Sequence, residues 1–395
     1  MWSALEHATA RVCGFVRRHK KLVVATGVAS LCVGGVYYGY KRMVTEAERF
    51  GLQLQRQMAE HQRLQLSLAS TTEESNATIQ RFLPRLKKTL YQLVDLESIV
   101  QELKTLDKAQ KPKRIQLWEQ AKLTAVTRYF TALIAFGLWH LLVFAQIAII
   151  GKRTFEKNKN EWESTRREAD EHQALAAQHA FLASGLEYFL TDGIARIQKH
   201  VESVVAANEQ LQTWEVSRKL KVERDELNEL LQSIYLSIIP TDGTQSAEVE
   251  ALWRSFLIYP DKRDDQDEHV ISLLNDLWDL LETDLFGPAL QDSLGFLCGN
   301  AFQDLNEVVY GCTSRRFVET EEELRAQGQQ QKASPALAKL IPALQTEVNK
   351  LLTNSGPESY LVKYSQGVGE MERFRNFYEA IFFMQEEDEA VMQLI

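Results

Sequence analysis

LTAVTRYFTALIAFGLWHLLVFAQIAII, residues 123–150, is the stretch on which the fold turns. It carries one formal charge, Arg128, and is followed by Lys152 and Arg153. It exceeds the about 20 apolar residues that a helix needs to cross a hydrocarbon core about 30 Å thick. Two architectures follow from the two ways of covering it. Against lipid it is a membrane span, and the chain after residue 150 lies across a bilayer from the chain before residue 123. Against protein it is the central helix of a large domain, apolar all round because neighbours surround it. Arg128, His140 and Gln146 interrupt the run, and each is costly facing lipid. Composition alone leaves the two readings level.

Upstream stands a second apolar run, Leu22–Tyr40 (LVVATGVASLCVGGVYYGY), with no charge. It is longer than a secretory core of about 7–15 residues and lacks a small-x-small cleavage site, so it reads as an uncleaved anchor. Tyr37, Tyr38 and Tyr40 suit a membrane–water interface. Arg17, Arg18, Lys20 and Lys21 precede the run and suit anionic lipid headgroups or a targeting receptor. Lys41 and Arg42 follow it, so basic charge flanks both ends and does not fix the orientation. The chain divides into a basic segment (1–21), an anchor (22–40), a membrane-proximal helical linker (41–74) and a helical domain (75–395).

Downstream the pattern is helical. Only 8 prolines and 19 glycines punctuate 395 residues, too few for the turns that strands and hairpins need. An all-α body, one large bundle of long helices, follows. Ile79, Phe82, Leu83, Leu86, Leu90, Leu93, Leu96, Val100 and Leu103 keep one helix face, with a kink or a helix start expected at Pro84. Lys104–Lys113 reads as a polar loop, with a helix from about Ile115. Asp192-Gly193 marks a turn or helix end, and Leu211–Ile234 a single helix that Pro240 ends. Pro288 suits the first position of a helix, Ala336–Leu352 forms another, and a last helix runs from about Tyr360 to the end.

The formal charge of −9 argues against a general nucleic-acid binder. Cys13, Cys32, Cys298 and Cys312 show neither zinc-ligand nor disulfide spacing, which fits a reducing face. The sequence contains no phosphate-binding Gly-rich loop, no H-E-x-x-H and no G-x-S-x-G. His172 and His179 share a helix face among solvated charges, too few ligands for a metal. The expectation is a protein that is not an enzyme and that has no metal and no cofactor.

Two stretches read as a binding surface. In Lys111–Lys122 (KPKRIQLWEQAK) a tryptophan, Trp118, sits at a helix start amid basic residues. It is either a core-edge residue or an aromatic anchor for a partner helix, with Arg114 and Lys122 on the rim. In Pro335–Pro342 (PALAKLIP) Lys339 stands alone among apolar neighbours, as a snorkelling lysine or as an ion-pair donor to an acidic peptide.

These features together resemble the peroxin-3 family of peroxisomal membrane biogenesis factors. The resemblance rests on Arg18-His-Lys-Lys21 before a span bearing Gly34-Gly-Val-Tyr37, then Phe82-Leu-Pro84 and Ile115-Gln-Leu-Trp118-Glu119. Ile149-Ile-Gly151, Asp192-Gly193 and Leu337-Ala-Lys339-Leu-Ile-Pro342 follow in order. It is weakest between about Asn208 and Gln330.

The resemblance implies a docking receptor for peroxin-19, the soluble carrier of newly made peroxisomal membrane proteins. An N-terminal amphipathic helix of that carrier would lie in a groove. Trp118 would form its floor, Leu103 or Leu106 its wall, and Arg114 and Lys339 its charged flanks. Arg114 stands where lysine is usual and Ala121 where a larger apolar residue is common. A membrane-spanning 123–150 would put Trp118 and Lys339 on opposite sides of a bilayer, so the resemblance favours the buried core helix. It also implies a single pass in the peroxisomal membrane, or the endoplasmic reticulum during biogenesis, with residues 43–395 cytosolic. Membrane lipid and cytosolic inheritance or turnover factors are further partners. An organelle tether with a different helical partner is the alternative, and the sequon Asn76-Ala-Thr78 offers a test of topology.

Overall fold

The structure, a computed structural model, describes residues 20–107, 110–160, 168–239, 247–258, 267–311, 334–356 and 359–383. Two compact units divide the chain, Met1–Leu66 and Ser67–Ile395. Among the described residues every regular element is helical.

The first element, α1, spans Lys20–Leu93 and includes the apolar run read as an anchor, whose side chains lie outside the described residues. Arg17 and Arg18 also lie outside them, as do the side chains of Lys20 and Lys21. From Ile79 to Leu90 the buried face is Ile79, Leu83, Leu86 and Leu90. Pro84 neither breaks α1 nor starts a helix; it stands on the exposed face, where water can take the carbonyl that proline leaves free. The apolar face does not run on to Leu103 in one helix. The chain turns at Val94–Asp95, and the Asp95 carboxylate accepts the Ser98 N–H (3.0 Å) to cap α2, Leu96–Thr105.

Helix α3 spans Lys111–Asn160 and starts a turn earlier than the sequence suggests. Pro112 lies in its first turn, where a missing N–H costs nothing. Its apolar middle is the core of the second unit: 94% of the most apolar window is buried inside protein. Each polar interruption finds a protein partner. Arg128 donates from Nε to the Val94 carbonyl (2.8 Å) and binds Glu97 through both terminal nitrogens, Nη1–Oε1 being 2.7 Å. It also lies over the Tyr91 ring, 4.4 Å from the centroid. His140 Nδ1 donates to the Phe136 carbonyl (2.8 Å), so its Nε2 accepts from the Ser365 hydroxyl (2.8 Å). Gln146 Nε2 donates to the Phe181 carbonyl (3.1 Å).

Helix α4 (Glu168–Tyr188) runs through a π turn, Phe189–Gly193, into α5, Ile194–Ala207. Asp192-Gly193 is therefore neither a turn nor a helix end. The site needs glycine for proximity, since a Cβ on Gly193 would stand 2.4 Å from the Phe256 carbonyl oxygen. The single helix expected over 211–234 is two, α6 (Glu209–Thr213) and α7 (Arg224–Ile238). Between them runs a non-helical connection, closed by a capping box in which Glu223 and Glu226 satisfy each other's backbone N–H groups. Then follow α8 (Ala247–Leu257), α9 (Glu268–Glu282) and α10 (Phe286–Tyr310). Pro288 falls at the third position of α10, still within the turn that needs no N–H. Last come α11 (Leu337–Leu351), α12 (Tyr360–Gly369) and α13 (Glu372–Glu379). The terminal helix thus breaks at Gly369–Met371, where the Glu370 and Met371 N–H groups turn back to Gln366 and Val368. Helix α3 packs against α2, α4, α5, α9, α10, α11 and α13.

Candidate docking surface

Three segments meet near the start of α3. Its Glu119 carboxylate accepts the Val216 N–H (2.6 Å) from the connection that follows α6. That connection is tied in turn to the start of α11: Val222 N–H reaches the Pro335 carbonyl (2.9 Å), and Leu337 N–H reaches the Lys219 carbonyl (3.1 Å). On the other side α2 is held by Lys113–Glu102 (2.7 Å) and by the Arg128–Glu97 pair. Gln345 of α11 also donates to Glu97 (2.8 Å), which brings α2 and α11 side by side over α3. Burial alone would raise the Glu97 carboxyl; the Arg128 guanidinium outweighs it and holds that carboxyl below its ordinary value.

The site residues read from the sequence take distinct places in this frame. Trp118 is half-buried on α3, packed against the core edge. Arg114, one turn before it, is exposed, and so is Lys339 in the first turn of α11. Leu103 is buried under α2 and Leu106 half-buried at its end. Of the two candidates for the wall, Leu106 is the more accessible. Ala121 is fully buried.

Lys122 is a correction. It is not on a rim but 4% exposed. Its ammonium donates to the carbonyls of Leu211 (3.0 Å) and Trp214 (2.7 Å) and pairs with Glu119 (2.7 Å). Those bonds use all three ammonium protons, so Lys122 fastens the α6 connection to α3 and has nothing to offer a partner. Two apolar residues escaped sequence reading. Ile115, one turn from Trp118, is 48% exposed, and Leu220, in the connection bonded to α11, is 72% exposed. Leu220 was hidden because helical periodicity assigned it to a buried face.

Other expected features sit as follows. His172 and His179 are exposed on α4. Cys298 is buried, and burial pushes its thiol up, which disfavours the reactive thiolate. Cys13 and Cys312 lie outside the described residues. Among those residues no group of three or more His, Cys, Asp or Glu side chains converges. The sequon is a poor reporter of topology. Asn76 is half-buried in the middle of α1, whereas an acceptor asparagine is presented from a surface loop.

The class defined here is an all-α scaffold whose second unit wraps one apolar helix, with Ile115 and Leu220 among its exposed apolar side chains. No family model matches the chain. Curated relatives do: it is 25% identical to the peroxisomal biogenesis factor 3 of Bos taurus over 86% of this chain and 89% of that protein. It is 24% identical to the Homo sapiens protein of that name over 94% and 96% of the respective chains, and 24% to the Rattus norvegicus one over 86% and 89%. The chain is a homologue of the peroxisomal biogenesis factor 3 proteins, along nearly its whole length. Those relatives are biogenesis factors rather than members of a known enzyme family.

Proposed function

We propose that this chain is a docking receptor for peroxin-19, held in the peroxisomal membrane by its first apolar run. The homology supports a role in peroxisome biogenesis and association with that organelle. The observation that carries the finer reading is the tie of α3 to α11 through the 214–222 connection. It supports a common surface for Trp118, Arg114 and Lys339, the residues that the resemblance assigns to the carrier's helix. An amphipathic helix would lay its apolar face on Trp118, Ile115 and Leu106, with its acidic side chains toward Arg114 and Lys339. The residues before Lys41 anchor the protein, and those after it face the cytosol. Cargo-loaded carrier then docks close to the bilayer where its clients insert.

Titration calorimetry of the full chain in neutral detergent with the N-terminal peptide of peroxin-19 tests this. Submicromolar binding is expected, with Trp118→Ala weakening it by about 2 kcal/mol or more, as truncation of a buried aromatic anchor does. Lys339→Glu should slow association and make it less sensitive to salt. No binding by the folded protein, or a loss below about tenfold in Trp118→Ala, would overturn the reading.

A further inference from the structure

Helix α3 separates two surfaces of different charge. Gln120, two residues after Trp118, points about 200° round the helix from it. On that opposite side, the joint between α1 and α2 faces α5 across a groove of about 330 Å³. Its floor is apolar: Val94, Ile99 and Val205 are buried there, and Leu93 at the lip is 40% exposed.

The groove wall carries two carboxylates, Asp95 and Glu202, and no lysine, arginine or histidine lines it. Asp95 accepts the Ser98 hydroxyl and N–H (3.0 Å), which do most to hold its carboxyl below the ordinary value, with a smaller contribution from the Arg128 guanidinium outside the groove. Glu202 accepts the Gln198 amide (2.7 Å). Both carboxylates take their side-chain hydrogen bonds from neutral donors, and no cation lines the groove beside its apolar floor. A site of this kind favours a cation that carries apolar surface with it.

We propose that this groove is a second docking site, which takes a short basic segment of a partner protein: one Arg or Lys side chain between Asp95 and Glu202, and an apolar neighbour on Leu93. The volume suits one or two side chains of an extended peptide, at the lower end of pocket sizes of about 300–1,000 Å³. It is too small for a helix laid lengthwise. The groove is separate from the Trp118 surface, so either can fail while the other stands.

The test is selection of short randomised peptides on the full chain in neutral maltoside micelles, with a Glu202→Lys chain as counter-target. Enriched peptides should place Arg or Lys beside a leucine, isoleucine or aromatic residue. They should bind Glu202→Lys at least about tenfold more weakly and lose affinity with rising salt. Thr124→Arg, which brings a cation into the groove from α3, should have the same effect while both variants keep the wild-type helical content. Enriched peptides without a basic residue, or equal binding to both variants, would overturn the proposal. So would loss of binding in Trp118→Ala instead. Spermidine displacing the peptides at equal concentration would assign the groove to a small polyamine rather than a protein.

Discussion

Arg128 and His140 show how a polar residue inside an apolar helix is made compatible with burial. The Arg128 fork both binds the Val94 carbonyl, just past the end of α1, and pairs with Glu97 of α2, so one side chain holds the α1–α2 turn and α2 to α3. Arg128→Met keeps much of the volume but removes the guanidinium from Glu97 and from the Val94 carbonyl, which keeps only the Leu96 N–H (3.1 Å). We expect a loss of about 3 kcal/mol, read as a lower urea midpoint at an unchanged slope. His140 is fully buried, and burial lowers its pKa from 6.5 to about 4 against a smaller opposing effect of the Phe136 carbonyl. Its folded pKa lies below the unfolded one, so between these values only the unfolded chain takes up the proton. The contribution is complete above pH 6.5 and is lost as pH falls toward about 4. The difference in unfolding free energy between wild type and His140→Gln should shrink by about 3 kcal/mol across that window. A constant difference would mean that the imidazole is already charged when folded.

At the scale of elements, the helices were legible wherever the apolar spacing was long, and their joints were not. Ile79, Leu83, Leu86 and Leu90 announce the buried face of α1, but nothing in the spacing announces the turn at Asp95, because the apolar rhythm resumes on α2. The same happened at residues 214–223, where Trp214 and Val222 are buried from a non-helical connection at intervals that mimic a helix. Capping residues were the missed signal: Asp95, Asn208 and Glu223 each stand at the N-cap of the helix that follows. The π turn at Phe189–Gly193 has no such marker, and the residue that closely approaches its Gly193, Phe256, is distant in sequence. Gly193→Ala should therefore cost about 1–3 kcal/mol, because the Phe256 carbonyl cannot rotate away. Gly299, inside α10 with nothing near its missing Cβ, should behave oppositely. Gly299→Ala is expected to raise stability by about 0.5–1 kcal/mol, checked by thermal unfolding.

For the whole molecule, the choice left level by composition, span or core helix, was settled by partners that lie far away in the chain. Ser365 answers His140 and Phe181 answers Gln146, and neither pairing is visible before the fold exists. Trp118 and Lys339 stood out in the sequence by their odd surroundings and lie half-buried and exposed in the fold, while Lys122 was misread because a lysine beside a tryptophan looks the same on a rim and under a loop. The order of these pieces has a consequence for synthesis. Helix α3 leaves the ribosome well before α9–α13, which supply much of its cover. During that interval the nascent chain displays a segment that a membrane-insertion machine would test as a span. Arg128 near the start of the run, His140 near its middle and Gln146 towards its end then oppose insertion, since each polar side chain is costly facing lipid. Changing Arg128, His140 and Gln146 together to leucine should make a ribosome-bound chain truncated after residue 160 insert residues 123–150 as a span where the wild-type chain does not, scored by protease protection in microsomes.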